Sequence, residues 1–239
     1  MRSPAWHRVT VASQRRSGQT GGVLCRDVIA FVGALLCAGL LANAEAVIEG
    51  RVVLPKPVTK PVLPPRYENV PPAMIGRPEP PVAVVYLEGA PTPASRVAST
   101  NEVMRQHHLQ FERGLLPVQV GTEVEFPNED NLYHNVFSYS KAKRFDLGRY
   151  ARGEKPPAQH FTQPGVVRLN CEIHPHMRAT ILVLETPFFT RTDTNGFFRL
   201  SGLPAGRYTV KAWIEEKDIR SQLVELSDGA AVTVDFSQP

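Results

Sequence analysis

The chain has 239 residues, with 27 Lys and Arg against 23 Asp and Glu, and a formal net charge of +4. Its first 44 residues hold five Arg and one Asp, also +4, so the remainder is near neutral and has no basic surface for nucleic acid or an acidic membrane. Cys25 and Cys37 lie in that same stretch, which leaves Cys171 with no cysteine to pair with inside the rest of the chain.

In chain order, residues 1–44 combine arginines, an apolar run from Val28 to Leu41 and the small-residue pattern Ala42-Asn43-Ala44. They are expected to be a secretory signal peptide cleaved after Ala44 or Ala46, with an uncleaved anchor as the alternative. The apolar run is shorter than the ~20 residues of an ordinary membrane span, so the mature form is expected to be periplasmic without a membrane span. Residues 45–100 contain two β-rich runs, AVIEGRVVLP and VAVVYLEGA, on either side of a spacer with ten prolines between Leu54 and Pro81. Proline removes a donor and fixes φ, so the spacer is expected to be an extended surface loop.

Residues 101–186 carry short strands, VMRQHHLQF, LLPVQV, TEVEFP, HNVFSYS, QHFT, VVRLN and ATILVLE, separated by Gly, Pro, Asn and Asp. No amphipathic helix of useful length interrupts them, and the class is all-β. Residues 187–239 repeat the pattern with turns near Asn195-Gly196, Pro204-Gly206 and Asp228-Gly229. That second small sandwich has too few residues to bury a sizeable core alone, so it is expected to dock on its neighbour or borrow strands.

LNCEIHPHMRAT, Leu169 to Thr180, connects two of these strands and concentrates metal-binding groups. A lone thiol in an oxidising compartment is a liability unless it is buried or bound. An ion that cycles between Cu(I) and Cu(II) favours a thiolate, two imidazoles and a weak axial thioether. Cys171, His174 and Met177 supply three of these at spacings of three and three, and His134, at the start of a strand, is the best candidate for the second imidazole. Asn135 follows it, placed to tie the two segments by hydrogen bonds. Zinc held by Cys171, His174, His134 and His176, or no metal at all, stays open on spacing alone. His176 is read as an exposed bystander, an alternative ligand or a docking contact. The pair His107-His108 would point to opposite faces of a strand, and His160 is expected at the surface.

HNVFS, FTQPGVVRLNC and CEIHPHM together resemble the cupredoxins, the small blue copper proteins, with a Cys-x-x-His-x-x-Met spacing like that of amicyanins. The resemblance spans roughly Val103 to Glu185. It implies a Greek-key cupredoxin β-sandwich over 101–186 and one copper ion, Cu(I)/Cu(II), with His134, Cys171, His174 and Met177 as ligands and Asn135 bracing them. It further implies one-electron transfer between redox protein partners such as a dehydrogenase or cytochrome. The electron is expected to leave by His174, which sits on the connecting loop while His134 is on a strand, and with no open coordination position no enzymatic activity is expected. The tail RTDTNGFFRLSGLPAGRYTVKAW resembles the carboxypeptidase regulatory-like or transthyretin-like sandwich. In that family an opening G-x-V strand and a strand ending in Leu-Glu-Gly come first, and here EGRVV and VVYLEG lie far upstream, so residues 45–100 read as its first half with the copper domain inserted. The competing functions are a copper carrier or store, and a structural sandwich module binding zinc or no metal.

Overall fold

A computed structural model describes residues 45–58, 63, 65–67, 74–93 and 101–236. The expected signal peptide and part of the proline-rich spacer lie outside them. The first strands are β1 (Ala46–Val52), β2 (Val84–Glu88), β3 (Asn101–Val103), β4 (Gln106–His107), β5 (Gln110–Phe111), β6 (Leu115–Gln119), β7 (Glu123–Glu125), β8 (His134–Tyr139) and β9 (Arg144–Tyr150). Then follow β10 (Gln159–His160), β11 (Gly165–Asn170), β12 (Arg178–Leu184), β13 (Phe189–Arg191), β14 (Phe197–Leu203), β15 (Gly206–Glu215), β16 (Asp218–Leu226) and β17 (Ala231–Phe236). A 3-10 turn covers Pro65–Tyr67.

Among the described residues, four of the five sheets stack in layers. The outermost, β14-β1-β17, faces β13-β2-β15-β16 across a core that includes Ile48, Val85, Leu87, Leu200, Val210 and Val234. The five-stranded sheet β6-β12-β11-β8-β9 faces β10-β7-β3 across a second core around Leu116, Val136, Phe161, Leu169 and Ile181. A third, smaller core of Val82, Val84, Leu115, Leu182, Leu184 and Trp213 joins the two sandwiches. Both sandwiches belong to one compact unit, Ala42–Pro239.

This layering explains why some strands read as unbroken apolar runs. In β12, Ile181 and Val183 enter the second core while Leu182 and Leu184 enter the third, so both faces are buried and polar alternation disappears. β2 behaves the same way, with Val85 and Leu87 on one side and Val84 on the other. β14, which has one wet face, keeps strict alternation over most of its length.

The sandwich with the carboxypeptidase-like motif takes β1 and β2 from before the metal-loop domain and β13 to β17 from after it. β1 runs antiparallel to β14 and parallel to β17, and β2 is antiparallel to both β13 and β15. In the other sandwich the chain crosses between sheets repeatedly. β6 lies in the five-stranded sheet, β7 in the small one, β8 and β9 in the first again, and β10 in the small one before β11 and β12 return.

Two local expectations differ from the structure. VMRQHHLQF is not one strand, because the chain reverses at His108 and Leu109, both with positive φ (54° and 56°), and β4 pairs with β5 as a short hairpin. RFDLGRY forms β9, which sequence patterning passes over because it is an edge strand whose residues are mostly exposed.

Candidate metal centre

The turn before β8 is set by Asn128, a buried side chain. Its Oδ1 accepts from the Asp130 N–H (2.9 Å), and its Nδ2 donates to the carbonyls of Leu132 (2.7 Å) and Tyr150 (3.1 Å). This Asx-type turn delivers His134 as the first residue of β8, opposite Tyr150 of β9. A register shift between Asn135 and Phe137 lets Asn135 Nδ2 reach Asp146 Oδ1 (2.7 Å) and Gly148 O (3.1 Å). The same amide's Oδ1 accepts from the Glu172 N–H at 3.3 Å, a direct link from β8 to the loop that carries the thiol.

That loop leaves β11 at Asn170 and rejoins the sheet in β12. It closes tightly, with the Met177 N–H donating to His174 O (2.8 Å) and Arg178 Nε to Pro175 O (3.1 Å). Cys171, His174 and Met177 are all buried, Met177 and Cys171 within the second core.

His134, Cys171 and His174 converge, with one ligand atom of each lying within 4.8 Å of the others. The two Nδ1 atoms are 3.0 Å apart, and Cys171 Sγ is 3.7 Å from His174 Nδ1. Two imidazole nitrogens and a sulfur facing one point in a buried space fit a thiophilic ion that also accepts nitrogen. His176 lies outside this group. It is half-buried, its Nε2 donates to Leu109 O at 3.0 Å, and its ring meets Tyr67 edge-on, so it is not the exposed bystander of the sequence reading.

Electrostatics favour a ligand-ready thiolate. Burial alone would raise the Cys171 pKa, but hydrogen bonds from His134, His174 and the backbone N–H groups of Asn135 and His174 bring it down to about 5. Behind His134, Nε2 sits 2.9 Å from Asp130 Oδ2. A carboxylate only accepts, so Nε2 carries a hydrogen toward Asp130 and Nδ1 faces the site. Burial pushes the Asp130 pKa up, yet the His134 bond and the N–H groups of Leu109 and His108 hold it at about 2. Burial pushes His134 down, and its bonds to Asp130 and Cys171 raise it on balance.

Asp130 was missed in the sequence, although it stands four residues before His134 in a polar turn. Tyr67, whose ring also reaches this loop, had no sequence signal. His107 and His108 stack on each other with ring centroids 3.8 Å apart, both exposed at the β4–β5 turn. His160 is exposed and pairs with Glu123 at 3.3 Å. Leu132 and Tyr133, beside His134, are both exposed. His174 is 7% exposed and His134 0%, so the loop imidazole is the more accessible of the two but is itself nearly closed off.

A family model of the carboxypeptidase regulatory-like domain matches residues 165–238. The match begins inside β11, and so takes in the metal loop as well as β13 to β17. Among solved structures the chain is similar to a copper-containing nitrite reductase from Thermus scotoductus SA-01, at 28% identity over 37% of this chain and 23% of that one, with a TM-score of 0.34. The chain thus spans under a quarter of that enzyme. It is also similar to an amicyanin variant in its Cu(I) form, at 23% identity over 42% of this chain and 98% of that one (TM-score 0.33). A further amicyanin variant, in its reduced state, shares 25% identity over the same portions (TM-score 0.32). No curated protein matches the chain. The chain itself is all-β, with its ligand-rich loop between two strands of one sandwich.

Proposed function

We propose that the chain is an exported type 1 (blue) copper protein that passes single electrons between redox partners and transforms no substrate of its own. The observation that carries this reading is the buried convergence of one ring nitrogen each of His134 and His174 with Cys171 Sγ, all within 4.8 Å. Copper in such a set supplies a one-electron couple between Cu(I) and Cu(II).

The chain's own groups prepare that set. Asp130 fixes the His134 tautomer from behind, and Asn135 holds β8 to the thiol loop. Backbone N–H groups of Asn135 and His174 stabilise the sulfur as thiolate. Met177, by its resemblance to the family spacing, is the axial thioether, and its side chain is buried in the core beneath the loop. Burial on all sides limits rearrangement of these groups when charge changes.

The zinc reading needs a fourth strong donor, and among the described residues the converging group is His134, Cys171 and His174, with His176 outside it. A copper store would display several exposed Met or His clusters, whereas of the described methionines only Met74 is exposed, and among the described residues the exposed histidine cluster is the single pair His107–His108.

Purified mature protein given Cu(II) should take on an intense visible colour that bleaches on reduction, and Cys171→Ser should abolish the colour. Met177→Leu should keep copper and shift the reduction potential. A colourless, zinc-loaded protein would overturn the proposal, and an unchanged potential in the Leu variant would remove Met177 from the axial place.

A further inference from the structure

The proline-rich segment contributes one aromatic side chain to the metal loop. Tyr67, in the Pro65–Tyr67 turn, is only 8% exposed. Its ring centroid lies 5.0 Å from that of His176, edge-on at 83°, and 6.3 Å from that of His174. Its hydroxyl donates to Ile173 O at 3.3 Å, across 106 positions of sequence. The ring therefore touches the loop on both sides of His174, and His174 itself is left 7% exposed.

A loop imidazole at the end of a sandwich would ordinarily present its edge to water. Among the described residues the other rings against His174 are His134 and His176, both from the site's own segments. Tyr67 is the one aromatic neighbour brought from elsewhere in the chain. A tyrosine suits the place because it is large, has few rotatable bonds and keeps a polar tip for the Ile173 carbonyl. Proline at position 65 narrows the unfolded chain's choices, which lowers the entropic cost of ordering the turn.

We propose that Tyr67 is the cover of the metal centre, a positioning residue that closes the His174 edge and the Cys171 sulfur to small solutes and so confines the site to outer-sphere electron exchange. The solute-exclusion half stands on geometry alone, and the electron-exchange half rests on the copper reading above.

The test has two arms. In the full-length, metal-free protein, iodoacetamide should alkylate Cys171 about tenfold faster or more in Tyr67→Ala than in the parent, while Tyr67→Phe, which keeps the ring, stays within about twofold. The rate in Tyr67→Ala should be nearly flat at low urea, because local access exposes little surface. A rate that rises with the slope of global unfolding would overturn the proposal, as would equal rates in parent and Ala variant, or a Phe variant as open as Ala. In the second arm, azide should alter the visible spectrum of copper-loaded Tyr67→Ala and leave parent and Tyr67→Phe unchanged; no azide response in Tyr67→Ala would remove the outer-sphere role. Faster alkylation in a protein that never takes up copper would uphold the cover and sink the copper reading, so the two failures are distinguishable.

Discussion

Asp130 accepts three hydrogen bonds, from His134 Nε2 at 2.9 Å and from the backbone N–H groups of His108 and Leu109 at 2.7 and 2.8 Å. His108 and Leu109 both sit in left-handed backbone conformation, which costs a non-glycine residue roughly 1–2 kcal/mol. Charge-assisted bonds to a single carboxylate offset that cost. Leu109 O in turn accepts from His176, and His108 O from the Gly76 N–H at 2.7 Å. One carboxylate thus connects the β8 ligand, the strained turn and, through that turn, the metal loop. Asp130→Asn should lower metal affinity about 10–100-fold, as loss of a group behind a ligating histidine generally does. Competition with a chromophoric chelator measures it, and an affinity equal to the parent's would show that the carboxylate is dispensable.

β1 lies in the middle of its sheet, paired on both edges, and its glycine reflects that crowding. A Cβ on Gly50 would stand 1.7 Å from Val234 O of β17 and 3.1 Å from the Phe198 ring of β14. The parallel partner passes too close for any side chain. Gly50→Ala should force the strands apart and destabilise the fold by roughly 1–3 kcal/mol, seen as a lower urea midpoint. The metal loop belongs to the other sandwich, so the visible spectrum of copper-loaded protein should not change. A spectral change would mean that the two sandwiches communicate through their shared core.

The two sandwiches are interleaved in the chain yet separable in space. Glu79, just before β2, accepts from the Gly114 N–H (2.6 Å) beside β6 and pairs with Arg191 of β13, so one side chain bonds to both sandwiches. β2 and β13 are adjacent antiparallel strands, with Phe189 opposite Tyr86 and the Leu87 N–H bonded to Phe188 O. The metal-loop domain therefore leaves and re-enters the other sandwich at neighbouring points. Replacing residues 89–187 by an Asn-Gly turn should give a hairpin and a self-contained sandwich that retains the first core. It should unfold cooperatively in urea and bind no copper. Aggregation or a broad, non-cooperative transition would show instead that the third core is indispensable.

The strands around the metal loop were legible where neighbours in sequence decide the outcome. β6, β8, β11 and β12 follow from β-branched and apolar runs bounded by turn residues, and the 3-3 spacing of Cys171, His174 and Met177 puts their side chains on one tight loop. β9 was not legible, because an exposed edge strand carries no apolar rhythm, and neither was the reversal at His108, which depends on Asp130 some twenty positions later.

By itself the sequence determined the all-β class and the spacing of Cys171, His174 and Met177 on one loop, since turn chemistry and side-chain alternation act over a few residues. Only the tertiary structure decided that His134 meets His174, that Asp130 stands behind it, that Tyr67 packs against the loop and that His174 is buried instead of open. Those contacts join segments 4 to 106 positions apart, and even the shortest of them depends on a turn held by β9. Packing of the sheets sets them, and residue order alone does not say which faces will meet.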